Sequence, residues 1–245
     1  MNPKSHTLFH FTKSRETLRL ILKSGLWPQY CLEDVGWLGY ETFDYIAYPM
    51  VCFCDIPLAR IAEHVRFYGE FGVGLTKQWA ESNGLNPVLY IAGENDVTAT
   101  FREMNVHANR LTGEDQKAAK ITMRYLLAHA KPTVGTLVVD GKPVEKEFYQ
   151  ESEWRHVPKH QNIEGYLLRS TFDVPDLVEA ANARTKELCS IRFGPKDIKY
   201  IFVKADADIP DLINFIQVEM DYYPGADLKV LMSRVVSLES LSVDL

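Results

Sequence analysis

The chain has 245 residues, of which 46% are hydrophobic and 24% are charged, a composition typical of a folded globular protein. Its net charge of -6 argues against a broad DNA- or RNA-binding surface, because phosphate binding requires clustered Lys and Arg. No apolar run approaches the roughly 20 residues of a membrane span, and the N-terminus has no apolar signal segment, so we expect a cytoplasmic protein that does not enter a membrane.

The first predicted elements are a strand and a helix. Residues 7–12 form an aromatic and β-branched run that predicts a strand, with His10 and Thr12 on its less apolar face. A helix should follow, with Ser14 as its N-cap and Gly25 as a left-handed C-cap.

The next segment, from Gln29 to Pro49, is rich in Tyr, Trp and Gly and shows no clear period. It predicts a long loop, and loops of this length inside compact domains are often functional lids. The alternative is that its aromatic side chains simply pack over the core.

A strand and a second helix are expected after this loop. Residues 50–54 predict the strand, Asp55 is placed to cap the helix, and apolar residues at helical spacing continue to Tyr68. Gly72 and Gly74 then interrupt a strand-like run, and they predict either a close approach of another part of the chain to the backbone or a bulge.

The remaining chain alternates between helical and strand patterns. Two apolar stripes separated by a Thr-Gly break predict a helical hairpin inserted at about 95–131, and Asp140-Gly141 predicts a hairpin turn. Further strands are expected at 163–170, 198–203 and 228–236, and helices at 175–189 and 210–220. Because no linker or repeat is visible, we predict one α+β domain over residues 1–245, with a mixed or antiparallel sheet.

The segment from Glu147 to His156 concentrates charge. If it is one extended strand, Glu151, Glu153 and Arg155 point to the same face, because side chains alternate along a strand. That face either lies in solvent as an ordinary polar sheet surface or lines a polar cleft, and the pattern alone leaves both open.

Metal binding has little support in the sequence. The four cysteines form no Cys-x-x-Cys, so neither a zinc ribbon nor a disulfide framework is indicated. Cys52, Cys54 and His64 supply fewer ligands than the four that zinc usually takes, and no metalloprotease or phosphate-loop motif occurs. We therefore expect no metal cofactor.

Several motifs, in order over the first two thirds of the chain, resemble the AbiGi family of bacterial abortive-infection proteins. They are Leu8-Phe9-His10-Phe11-Thr12, Gly25-Leu26-Trp27-Pro28, Val51-Cys52-Phe53-Cys54-Asp55-Ile56-Pro57, Tyr68-Gly69 through Gly72-Val73-Gly74-Leu75-Thr76, and Glu151-Ser152-Glu153-Trp154-Arg155. The resemblance implies a role in defence against phage, and members of the family are described as antitoxin partners in two-gene systems.

A second, looser resemblance concerns mechanism. The His-x-Thr of His10 and Thr12, followed by a helix ending in Gly-Leu-x-Pro, is similar to the opening of ADP-ribosyltransferase-fold proteins. Such proteins use an aromatic or Ser residue in the middle of the chain and a late Glu-x-Glu pair. The resemblance implies that Tyr68 takes the middle place by its order alone, and that Glu153 with Glu151 forms the acidic pair.

This second resemblance implies NAD as a substrate and four catalytic side chains, His10, Tyr68, Glu151 and Glu153. Breaking the bond to nicotinamide develops positive charge on the ribose, which the Glu153 carboxylate would stabilise. Glu151 would orient or deprotonate the acceptor, whether protein, nucleic acid or free nucleotide.

The same resemblance implies the groups that would bind NAD. Arg155 would hold the pyrophosphate through its fork of N–H donors. His10 and Thr12 would contact the adenosine-side ribose. Either Tyr68 or an aromatic residue of the predicted loop between Tyr30 and Tyr48 would stack on nicotinamide.

The alternative hypothesis is a protein without catalysis, an antitoxin or sensor that binds a toxin or a phage component. In that case the charged side chains around Glu153 form a structural ion network and need no substrate. Cell growth separates the two hypotheses, since the effector would be toxic on its own and the antitoxin harmless.

Overall fold

A computed structural model describes residues 5–40, 44–139 and 142–244 of the chain. The predicted Asp140-Gly141 turn lies outside the described residues. Contacts between residues divide the chain into two compact units, each made of segments that are separate in sequence. Unit 1 comprises Met1–Leu26, Cys52–Leu85 and Ile191–Leu245, and unit 2 comprises Trp27–Val51 and Asn86–Ser190. The single domain over 1–245 stays a prediction.

The described strands are, in chain order, β1 (Thr7–Thr12), β2 (Gln29–Asp34), β3 (Tyr45–Cys54), β4 (Phe71–Thr76), β5 (Asn86–Pro87), β6 (Leu89–Ile91), β7 (Ala130–Pro132), β8 (Val134–Val139), β9 (Lys142–Glu147), β10 (Glu153–His156), β11 (Leu167–Leu168), β12 (Ile198–Val203) and β13 (Val235–Ser237). The described α-helices are α1 (Arg15–Ser24), α2 (Ile61–Tyr68), α3 (Lys77–Ser82), α4 (Asp96–Arg110), α5 (Gly113–Leu127), α6 (Arg169–Phe172), α7 (Pro175–Cys189), α8 (Ile209–Glu219), α9 (Gly225–Met232) and α10 (Leu238–Asp244).

Both parallel and antiparallel strand pairs occur in unit 1. β1 pairs antiparallel with β4, β4 pairs antiparallel with β12, and β12 pairs parallel with β13. Phe9, Phe11 and Phe202 are buried on one face of these strands, where helix α2 packs against them. Together with the helices this mixed sheet confirms the predicted α+β class.

The glycines of β4 allow the close approach that their spacing predicts. A side chain on Gly72 would place its Cβ 2.6 Å from the His10 carbonyl oxygen and 2.6 Å from the Phe11 ring. At Gly74 the Cβ would lie 2.9 Å from the Thr7 side chain. Residues with a Cβ would therefore push β4 away from β1.

Helix α1 begins as predicted and ends differently. The Ser14 hydroxyl accepts a hydrogen bond from the Thr17 N–H at 3.0 Å, which confirms the N-cap. Gly25 ends the helix at φ 84° and ψ −173°, so the predicted left-handed conformation is wrong although φ is positive. Its Cβ would lie 2.4 Å from the Ile191 carbonyl oxygen, with which the chain forms a β-bridge at Leu26.

The predicted loop from Gln29 to Pro49 is wrong. Its first residues form β2, which pairs antiparallel with β3 from Gln29↔Met50 to Asp34↔Tyr45, and a 3₁₀ turn at Gly36–Leu38 follows β2. Residues 46–51 of β3 are buried on both faces. A strand covered on both faces has no polar alternation, so its pattern could not show it.

Helix α2 starts later than predicted. Asp55 does not cap it but forms an ion pair of 2.6 Å with Lys77, and a 3₁₀ turn at Leu58–Arg60 precedes the helix.

In unit 2, helices α4 and α5 lie between β6 and β7 and confirm the predicted hairpin of helices. Helix α7 has the predicted bounds. Two predicted strands are wrong: 163–170 is irregular before the two-residue β11 and helical after it, and 228–236 is mainly α9 before β13. Short apolar runs do not distinguish strands from buried helices.

Candidate functional site

The charged segment from Glu147 to His156 is not one strand, which corrects the sequence prediction. β9 ends at Glu147, a 3₁₀ turn covers Phe148–Glu151, and Ser152 has a φ of 45° in the left-handed region. Strand β10 starts only at Glu153. Residues other than glycine rarely adopt the left-handed backbone conformation, so the contacts around Ser152 impose this bend.

The bend still brings the two predicted carboxylates together, and Lys131 of β7 joins them. Its Nζ lies 3.2 Å from Glu151 Oε2 and 2.9 Å from Glu153 Oε2. Lys146 of β9 approaches Glu151 from the other side, with 2.5 Å between Nζ and Oε1. Glu151 and Glu153 are only 4% and 5% exposed, so these contacts take place inside unit 2.

Arg155 completes the arrangement and is fully buried. Its Nε donates to Glu153 Oε1 at 2.7 Å, and one terminal nitrogen donates to Glu33 Oε2 at 2.6 Å. The other terminal nitrogen donates to the Ala128 carbonyl at 2.8 Å. We call this group the ion network; its members are Glu33, Lys131, Lys146, Glu151, Glu153 and Arg155.

The ion network contains three acidic and three basic side chains. Removing such charges from water costs several kcal/mol per ion, and only close opposite charges with good hydrogen bonds offset it. Burial by itself would raise the pKa of Glu151, but Lys131 and Lys146 outweigh it and leave that pKa lowered. Burial would lower the pKa of Lys131, but Glu153, Glu33 and Glu151 together raise it.

Neighbouring groups support the ion network. The Tyr90 hydroxyl accepts a hydrogen bond from the Glu153 N–H at 2.8 Å, and Lys131 Nζ lies 4.1 Å from the centre of the Phe148 ring. Burial, and then the nearby Glu33, raise the pKa of the Cys31 thiol to about 12, so this cysteine stays a neutral thiol.

Sequence reasoning found half of the ion network and missed Glu33, Lys131 and Lys146. Glu33 lies in β2, within the segment predicted to be a loop. Lys131 lies in a three-residue strand directly after the helical hairpin. The available signal was a lysine inside an otherwise apolar run, Ala130 to Pro132, because buried lysine requires a partner.

His10 lies in unit 1, in the centre of β1. Its Nδ1–H donates to the Cys52 carbonyl at 2.8 Å, and its ring lies 5.5 Å from that of Phe53. Burial lowers the pKa of His10, so the imidazole is neutral at physiological pH.

Tyr68 and Thr12 also belong to unit 1. Tyr68 stacks on His64 with 4.5 Å between ring centres and packs on the face of β1 that carries Phe9 and Phe11. His10 alternates with Phe9 and Phe11 along β1 and so lies on the opposite face, where it contacts Cys52 and Phe53; the structure therefore does not bring Tyr68 and His10 together. Thr12 ends β1, in register with Phe71.

Of the predicted site residues, the structure thus joins Glu151, Glu153 and Arg155 in unit 2. The catalytic and NAD-binding roles given to them, and to His10, Thr12 and Tyr68, stay predictions.

Among the residues that the structure describes, no three His, Cys, Asp or Glu side chains are grouped so that they could hold a metal ion. In that same part of the chain, every helix is too short or too polar to span a membrane.

Fold and site together define an α+β protein with a mixed sheet, in which a late acidic pair is engaged by buried cations of the same chain. The family model described as "Putative abortive phage resistance protein AbiGi, antitoxin" matches residues 24–204. The chain therefore belongs to the AbiGi family of abortive phage resistance proteins, which confirms the first resemblance.

A curated relative agrees with this assignment. The chain is 27% identical over 250 residues to "Abortive phage resistance protein AbiGi" of Lactococcus lactis subsp. cremoris, in a match that covers 89% of this chain and 98% of the relative. No solved structure matches the chain.

Proposed function

We propose that this protein is the antitoxin of a two-gene abortive-infection system. It binds the toxin encoded beside it in the cytoplasm and holds that toxin inactive until phage infection. The family description, which names an antitoxin, supports the proposal. The geometry of the ion network supports it independently.

The main observation in support of the proposal is that cations of unit 2 already bind the carboxylate of Glu153. Lys131 and Arg155 contact its two carboxylate oxygens, at 2.9 Å and 2.7 Å, and the residue is 5% exposed. A carboxylate that stabilises a developing charge must contact the reacting atoms. Here the cations of its own unit occupy both oxygens, which favours a structural role in a protein that acts by binding.

The test is a growth assay with the neighbouring gene. Cells that express this protein alone should grow normally, and its expression should restore growth to cells that express the neighbouring gene's product. A direct complex of the two purified proteins should form in size-exclusion chromatography. Growth arrest by this protein alone, without rescue of the neighbour's toxicity, would overturn the proposal.

The second candidate function is that of an NAD-dependent, ADP-ribosyltransferase-like effector. The same growth assay distinguishes it from the antitoxin function. An effector should stop growth and release nicotinamide from NAD, and Glu153→Gln should abolish both. Glu145→Gln, which makes the same change at an exposed position, is the matched control. We expect neither nicotinamide release nor growth arrest from the wild-type chain.

A further inference from the structure

The negative charge of the chain is concentrated at its C-terminal end. Residues 205–245 contain eight Asp and Glu but two Lys and Arg, a net charge of -6. This equals the net charge of the whole chain, so residues 1–204 are neutral overall, with 25 acidic and 25 basic side chains. Such an asymmetry attracts positively charged partners to one region of a protein.

Part of this charge is neutralised within unit 1. Helix α1 carries basic side chains that form ion pairs with acids of α8 and of the turn before it. These pairs are Arg15 with Asp208, Arg15 and Arg19 with Asp211, and Lys23 with Glu219. The acids on this side of α8 therefore serve the packing of unit 1.

The turn after α8 and the following α9 are different, and we call residues 218–230 the α8–α9 corner. Glu219, near its start, is the acid already paired with Lys23. Asp221 and Asp227 are exposed there, and among the described residues no Lys, Arg or His forms an ion pair within 4 Å of either carboxylate. Lys229, the one basic residue of the corner, is also exposed, but it follows Asp227 by two positions on α9, so the two side chains do not share a face of the helix. Exposed apolar side chains accompany them, with Val218 69%, Tyr222 60% and Val230 48% exposed. Large apolar side chains grouped at a surface often mark protein interaction sites.

Buried side chains fix the α8–α9 corner to the rest of unit 1. Ile216, Met220 and Leu231 are at most 1% exposed, so each end of the corner is fixed by a buried side chain. The Tyr223 N–H donates to the Met220 carbonyl at 3.1 Å, which closes the turn between the helices. A surface that is ordered before binding loses little conformational entropy when a partner binds.

We propose that the α8–α9 corner is the surface that docks the toxin, and that the toxin contacts it with an apolar patch bordered by Lys and Arg. Tyr222 inserts as the central anchor, because tyrosine is enriched among residues that dominate binding energy. Asp221 and Asp227 attract the basic border and set the orientation. This inference rests on the proposed antitoxin function and names the surface that performs it.

The charge of the corner also selects among occupants. A second copy of this chain would bring Asp221 and Asp227 against the same acids of its partner, and like charges in contact oppose association. Nucleic acid is disfavoured for the same reason. A basic protein surface is the occupant that complements both the acids and the apolar side chains.

The experiment measures binding of the purified neighbouring gene's product to the full-length chain by calorimetry. Tyr222→Ala and the double variant Asp221→Asn/Asp227→Asn should each weaken binding by roughly tenfold or more. The matched control is Glu63→Gln/Glu81→Gln, which removes two exposed acids elsewhere in unit 1 and should bind as the wild type does. Circular dichroism verifies that all variants are folded.

Salt provides a second readout. Wild-type binding should weaken between about 0.1 M and about 1 M NaCl, where the screening length falls from ~10 Å to ~3 Å, and the double Asn variant should lose much of this dependence. If wild type and control bind but the corner variants bind equally well with the same salt dependence, the corner is not the docking surface and the antitoxin function stands. If the wild type itself does not bind, the antitoxin function fails and this inference fails with it.

Discussion

The two compact units of this protein use charge in opposite ways. In unit 1 the interior is apolar around Phe9, Phe11 and Phe202, and the ion pairs between α1 and α8 lie at its surface. In unit 2 the charges lie inside, where Arg155 is fully buried among acids. Buried charges are costly to leave unpaired, so the two units should respond very differently to loss of one polar group.

The largest effect is expected from removing the buried guanidinium. Arg155→Met leaves Glu33 without its contact and Glu153 with one cation fewer, so the free energy of unfolding should fall by roughly 3–5 kcal/mol. Urea denaturation measures this loss. Hydrogen exchange should show faster exchange in β7 and β10, with β1 and β4 of unit 1 unchanged.

Its matched control is the exposed arginine of another ion pair in unit 2. Arg184 is paired with Glu187 at 3.0 Å and is 48% exposed, so Arg184→Met should cost at most about 1 kcal/mol. Similar losses in the two variants would show that burial does not distinguish these pairs.

The second-largest loss of stability is expected in unit 1, whose interior is apolar. Gly72→Ala would place a methyl group 2.6 Å from the His10 carbonyl oxygen, and such overpacking costs about 1–3 kcal/mol. Gly165→Ala is the control, because its added Cβ would meet no atom within 4 Å. Thermal denaturation should separate the two variants, and equal melting temperatures would contradict the close packing of β1 on β4.

The smallest effect is a pH dependence from Glu151. Because its pKa is lowered in the folded state, this group stabilises the fold above the unfolded value of 4.5, and the contribution is lost as pH falls through the folded pKa. Urea midpoints between about pH 7 and pH 3 should fall less steeply for Glu151→Gln than for wild type. Glu145→Gln, at an exposed position, is the control and should keep the wild-type slope. An unchanged slope in Glu151→Gln would argue against the ion pairs with Lys131 and Lys146.

Local patterns predicted those elements whose signals lie within a few residues. The hydroxyl of Ser14 caps α1, two apolar stripes mark α4 and α5, and the glycines of β4 mark close packing. The patterns failed where burial on both faces erased the alternation, as in β3, and where turns interrupted the segment around Ser152.

In the candidate site, too, local patterns predicted the neighbouring residues and missed the distant ones. The spacing of Glu153 and Arg155 in the sequence already placed both on one face of a strand, and β10 confirms it. Their partners Glu33 and Lys131 are 122 and 24 residues from Arg155 in the chain, as its numbering shows, and no local pattern connects them.

The sequence by itself determined the family, the α+β class and the positions of the charged side chains, because motifs and periodicity are properties of neighbouring residues. Only the tertiary structure decided that Lys131 and Arg155 engage the late carboxylates inside unit 2, and that His10 and Tyr68 face opposite sides of β1. The reason is physical: whether a charge is solvated or paired depends on which distant strands surround it, and only folding brings those strands together.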